Sequence, residues 1–237
     1  MLARRLVAET LGTAFLLIAV VGSGIAAQRL SPGQTGLQLL ENAAATGVAL
    51  IAIILALGPV SGAHLNPVVT LVDRACGGIN SATTTMYVAA QLVGAAFGAV
   101  LANLMFELPA VEWSHQTRSG SGVWLSEALA TFGLLLVIFG VVRSGRAAVA
   151  PFAVGAYVAG AYFFTSSTSF ANPAVTVARM PTDTFAGIAP SSVPAFVIMQ
   201  LVGAVAALLV IRILYPDAAA AARDVVVPHD APEEVAA

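Results

Sequence analysis

The chain of 237 residues contains no lysine; its ten basic residues are all arginine, set against twelve carboxylates, for a formal net charge of -2. Charged residues make up 9% of it, where an ordinary soluble domain has about 25%. That is too little charge to cover a solvated surface of this size, and a mean hydropathy of +0.91 points the same way. A soluble enzyme, a nucleic-acid-binding protein and a disordered chain are excluded on these grounds. The single cysteine, Cys76, excludes a disulfide framework and a thiolate metal site; it reads as a small buried apolar residue. No cofactor signal is present. What is left is a polytopic membrane protein whose main partner is the lipid bilayer.

Apolar residues, 59% of the chain, gather into long runs. A spanning helix needs about 20 of them, and six stretches qualify: 6–27, 39–58, 84–106, 124–142, 148–165 and 193–214. The first follows Arg4 and Arg5, as a signal peptide would. Glu9 interrupts it, however, and it continues to Ala27, beyond the roughly 7–15 residues of a signal core; it reads as a retained helix. Two more apolar stretches are too short to span: Pro67 to Val72 after Asn66, and Pro173 to Ala178 after Asn172. Asparagine is a good helix cap, and proline suits the first helical turn. Each stretch therefore predicts a short helix beginning at its Asn-Pro.

The same elements recur in order. Ala8-Glu9-Thr10-Leu11 is echoed by Ser126-Glu127-Ala128-Leu129, Gln91-Leu92-Val93-Gly94-Ala95 by Gln200-Leu201-Val202-Gly203-Ala204, and Asn66-Pro67-Val68-Val69-Thr70 by Asn172-Pro173-Ala174-Val175-Thr176. The chain is read as two homologous halves, about 1–110 and 120–215. Each holds three spans and one short segment. Three is odd, so the second half enters the membrane inverted, and equivalent features fall on either side of the midplane. With the N-terminus inside, Arg4, Arg5, Arg74, Arg143, Arg146, Arg212 and Arg223 are cytoplasmic and Arg29, Arg118 and Arg179 external; the excess inside predicts both termini cytoplasmic. Residues 1–215 form one transmembrane domain, and the acidic tail 216–237 is expected to be disordered.

Irregular backbone survives at membrane depth only where it is buried in protein or lines a wet cavity. Two re-entrant segments from opposite leaflets would bring Asn66 and Asn172 together near the midplane. The positive ends of both short helices then meet there, disfavouring cations and protons. The two amides offer hydrogen bonds to a neutral solute. This is a channel design for uncharged molecules.

Ser61-Gly62-Ala63-His64-Leu65-Asn66-Pro67-Val68 and Ser169-Phe170-Ala171-Asn172-Pro173-Ala174 resemble the paired NPA boxes of the aquaporin and aquaglyceroporin (major intrinsic protein) family. The resemblance implies an all-α membrane protein: a bundle of six transmembrane helices plus two re-entrant half-helices, arranged as an inverted repeat. It also implies one pore per protomer, association as a homotetramer, and glutamates like Glu9 and Glu127 that brace the loops. A proton relay is the other reading of those two carboxyls. His64, beside the first box, reads as a loop-bracing or pore-edge histidine, since no second metal ligand lies nearby.

The sequence departs from the family at two places. The first box ends in Val68, and Val175 stands where the family usually carries an arginine directly after the second box. Carried over by spacing, the other filter positions are Thr46, Gly160 and Ser169. The expected filter is thus four small side chains without charge: a wide, arginine-free pore for water and small uncharged solutes. The stretch Tyr162 to Ala171 is similar to a bacterial branch lacking the filter arginine, some members of which are associated with arsenic resistance. That implies glycerol-like polyols and neutral metalloid acids such as arsenite as solutes, and a bacterial inner membrane as location. A water-selective pore and a secondary active transporter are the alternatives. Arg179, one turn beyond Val175, reads as a surface or loop-anchoring residue, with a vestibule role as the alternative. Gly94 and Gly98 read as a helix-packing pair, and Trp113, Trp124 and Tyr215 as interface anchors.

Overall fold

The computed structural model describes residues 2–215; the tail expected to be disordered, with Arg223, lies outside the described residues. Eight α-helices carry the chain: α1 (Leu2–Leu30), α2 (Thr35–Ser61), α3 (Pro67–Cys76), α4 (Ser81–Met105), α5 (Ser121–Arg143), α6 (Ala150–Phe164), α7 (Pro173–Ala178) and α8 (Val193–Leu214). Among the described residues six helical segments are long and apolar enough to cross a membrane. α1, α2 and α5 run beyond the apolar cores expected from sequence at both ends, since polar residues such as Arg4 and Arg5 continue the helix; α4 starts three residues early, α8 matches 193–214, and α6 is shorter than 148–165.

The close pairings are α1 with α4, α5 with α8, and α2 with α6. Small residues decide the first two. A Cβ on Gly94 would sit 2.2 Å from the Thr10 carbonyl oxygen, and one on Gly203 the same distance from that of Ala128. These are equivalent positions of the two halves, so one backbone-to-backbone approach is built twice. Gly47 and Gly155 face each other likewise: a Cβ on either would come within 2.8 Å of the other's carbonyl oxygen. This contact joins α2 to α6.

The two short helices are set by their caps. Asn66 (φ -155°, ψ 120°) and Asn172 (φ -156°, ψ 112°) are extended, each followed by a proline in the first turn. The Asn66 side chain accepts from the Val68 N–H at 3.0 Å. Asn172 accepts from the N–H groups of Ala174 and Val175, at 3.0 and 3.3 Å. Free N–H groups of the first turn are satisfied in this way. α3 runs on to Cys76, past the apolar stretch, until Gly77 in the left-handed region (φ 89°) ends it.

Candidate functional site: the cavity between the two half-helices

The loops entering α3 and α7 are held by matching backbone and glutamine bonds, with one serine hydroxyl added on the first. Glu9, fully buried in α1, accepts from the Ser61 hydroxyl (2.7 Å), the His64 and Leu65 N–H groups (3.0 and 2.8 Å) and the Gln91 amide (2.8 Å). Glu127, fully buried in α5, accepts from the Phe170 and Ala171 N–H groups (2.8 and 3.0 Å) and the Gln200 amide (2.6 Å). Gln91 also donates to the Thr70 hydroxyl and Gln200 to that of Thr176, at 2.9 and 2.8 Å. The pairs of N–H groups occupy the same two positions before each asparagine. Neither carboxylate is among the residues lining the central cavity.

The two boxes interlock. The Asn66 amide donates to the Ala171 carbonyl and the Asn172 amide to the Leu65 carbonyl, each at 2.8 Å. Those carbonyls are aimed by left-handed backbone at Leu65 (φ 51°) and Ala171 (φ 47°), with Ala63 (φ 44°) and Ser169 (φ 51°) repeating it two residues earlier. A side-chain amide has two N–H groups. The cross-loop bond uses one on each asparagine, and both side chains also line the cavity. Pro67, Val68, Pro173 and Ala174 are buried in the first turns behind the amides.

Around the amides lies a cavity of about 80 Å³, room for several waters. Thr46, Asn66, Ser169, Asn172 and Val175 line it, as does His64. The His64 imidazole is almost fully enclosed. Its Nδ1 is 3.1 Å from the Thr70 hydroxyl, its Nε2 is 3.7 Å from the Asp73 carboxylate, and its ring meets Tyr87 edge-on.

Two sequence expectations are corrected here. Gly160 does not reach the cavity: it is exposed on the outer surface, and only the Phe164 ring would meet a Cβ placed on it. The cavity-facing residues of α6 include Val154, Val158 and Tyr162, one helical turn apart, so residue 160 points to the opposite face. Tyr162 takes the place expected of Gly160, and its hydroxyl lies 3.3 Å from the Thr46 hydroxyl. The lining is also not free of guanidinium. Position 175 is valine, but Arg179, 2% exposed, is among the lining residues. A helical side chain leans back toward the N-terminus of its helix, which carries Arg179 from the end of α7 onto the Phe170 ring, 3.6 Å from its centroid. Its Nε donates to the Ala186 carbonyl. Sequence spacing put Arg179 and Val175 on one face; nothing in the sequence signalled Tyr162 or Phe170.

The loops outside the spans carry two perturbed groups. Burial pushes the Arg118 guanidinium below its ordinary pKa, against the opposing fields of Glu127 and Tyr162. The His115 backbone N–H, followed by its ring, holds the Asp183 carboxyl below the usual range.

Comparison with known proteins agrees with this geometry. The family model described as "Major intrinsic protein" matches residues 1–169. The aquaglyceroporin AqpS of Rhizobium meliloti (strain 1021) is 50% identical over 211 residues, covering 89% of this chain and 90% of that one. Aquaporin NIP1-3 of Oryza sativa subsp. japonica is 34% identical over 182 residues, covering 74% and 62%. Among solved structures, the aquaglyceroporin from Plasmodium falciparum superposes with a TM-score of 0.70 at 23% identity, covering 92% of this chain and 99% of that one; this likeness concerns the fold.

Proposed function

We propose, from the premise that this chain belongs to the major intrinsic protein family and is a passive membrane channel for water and small solutes rather than an enzyme, that its pore admits solutes of glycerol size. The observation that carries this is the valine at 175. It leaves the turn after the second box without a large side chain beside the capping amides. The cavity pairs that apolar surface with the hydroxyls of Thr46 and Ser169 and the amides of Asn66 and Asn172. A polyol has an apolar carbon edge and a hydroxyl edge, and such a lining fits both. Arsenous acid, neutral at pH 7, displays its hydroxyls in the same manner. The name aquaglyceroporin borne by a relative 50% identical over most of both chains supports the polyol reading.

Thr46, Tyr162, Ser169 and Val175 are the selecting residues in this reading, Asn66 and Asn172 the midpoint donors, and Glu9, Glu127 and His64 the groups that hold the loops. The competing reading is a water-selective pore; the Tyr162 hydroxyl bonded to Thr46 favours it by filling part of the neck. Proteoliposome stopped-flow assays with water, glycerol and arsenite separate the two. Facilitated glycerol flux is expected; water flux alone would defeat the polyol reading, and arsenite flux decides the metalloid extension independently.

Four further features belong to the same proposal. Residues 1–215 act as one channel domain built of two inverted halves. Both termini are cytoplasmic, which the distribution of arginines supports. The location is a bacterial inner membrane, in keeping with the bacterial relative. Four protomers associate, each with its own pore.

A further inference from the structure

Arg179 and Arg118 share one aromatic ring. The Arg179 guanidinium lies over Phe170 at 3.6 Å from the centroid and that of Arg118 at 5.1 Å. Three consecutive carbonyls hold the pair: Phe185 and Gly187 accept from Arg118, at 3.1 and 2.9 Å, and Ala186 accepts from Arg179. Phe185 and Ala186 lie in a turn closed by the Gly187 N–H, which donates to the Thr184 carbonyl at 2.9 Å. Phe170 is itself fixed by its N–H bond to Glu127 and by the Phe196 ring, 5.1 Å away. No carboxylate forms an ion pair with either guanidinium among the described residues. Both positive charges are therefore unneutralised by a direct partner, and Arg179 belongs to the cavity wall.

Resting on the reading of this protein as a channel for neutral solutes, we infer that Arg179, braced on Phe170 and backed by Arg118, is the cation barrier of the pore and replaces the guanidinium missing at position 175. The charge sits one helical turn past position 175, held over the Phe170 ring and by the Ala186 carbonyl. A fixed charge beside a narrow low-dielectric passage acts strongly on ions and weakly on neutral molecules. Position 175 is then free to be small while cations are still refused. Size selection and charge selection, which one arginine at 175 would combine, are divided between two positions.

The test uses full-length protein in proteoliposomes loaded with a proton-sensitive dye, with the membrane potential clamped and glycerol flux measured on the same vesicles. Arg179→Gln is expected to raise proton and sodium conductance per channel by about 10-fold or more, the loss of one nearby unit charge. Arg179→Lys, which keeps the charge, should stay near the parent leak, and Val175→Arg added to Arg179→Gln should restore the barrier. An unchanged leak in correctly inserted Arg179→Gln overturns the inference, as does a lysine variant that leaks like the glutamine one. Should Arg179→Gln fail to insert, Arg118→Gln serves instead; it lies outside the cavity wall and is expected to raise the leak by a smaller factor, and no rise there also overturns the inference. Absent glycerol flux in the parent protein would count against the polyol reading and leave the comparison of leaks standing.

Discussion

Glu9 and Glu127 are buried carboxylates, each satisfied entirely by donors. Converting either to glutamine places an N–H₂ group against N–H groups, and each loop N–H left unpaired costs about 1–3 kcal/mol. Glu9→Gln and Glu127→Gln are therefore expected to lower thermal stability in detergent, followed by fluorescence-detected gel filtration; variants as stable as the parent would argue against a loop-holding role. Tyr162 and Gly160 give a sharper pair. Tyr162 faces the cavity and Gly160 the outer surface. Tyr162→Ala should alter the ratio of glycerol to water flux, whereas Gly160→Ala should leave it as it was. A change of that ratio in Gly160→Ala alone would reverse the assignment. Val175→Arg, tested on its own, should depress glycerol flux more than water flux, since it adds bulk beside the amides.

At the scale of elements, the half-helices depend on backbone that only the assembled loops can sustain. Ala63, Leu65, Ser169 and Ala171 all have φ between 44° and 51°, a region that costs a non-glycine residue about 1–3 kcal/mol. The carboxylate and cross-loop hydrogen bonds offset that cost, so loop geometry and span packing stand or fall together. The glycine contacts of α1 with α4 and of α5 with α8 supply the packing. Gly94→Val and Gly203→Val each force a side chain onto a carbonyl 2.2 Å away, and no flexible side chain can yield there. Loss of folded, membrane-inserted protein is expected for both, measured as the yield of monodisperse detergent-solubilised material; normal yields would mean that the helix pairs can separate without harm.

For the whole molecule, the consequence of a fixed pore is passive transport. Solute flux should follow its own gradient and be indifferent to an imposed proton or sodium gradient in proteoliposomes; stimulation by either ion gradient would point to a coupled transporter. The sequence by itself determined the membrane environment, the long apolar helices and both asparagine caps, because composition, run length and Asn-Pro capping act locally and are written in neighbouring residues. The family resemblance, carried over by spacing from the asparagines, also pointed to Thr46, Ser169 and Val175, which line the cavity. Gly160 escaped that rule. Which face of α6 meets the cavity depends on how α6 packs against α2 through Gly155 and Gly47, a contact between halves with no local signature. Arg179 escaped it in the same way: its stem is turned by the Phe170 ring and by the Ala186 carbonyl, and those come from different loops. Side-chain direction at the neck was left to the tertiary structure because it is fixed by long-range contacts, whereas the start of each short helix was fixed by its own Asn-Pro.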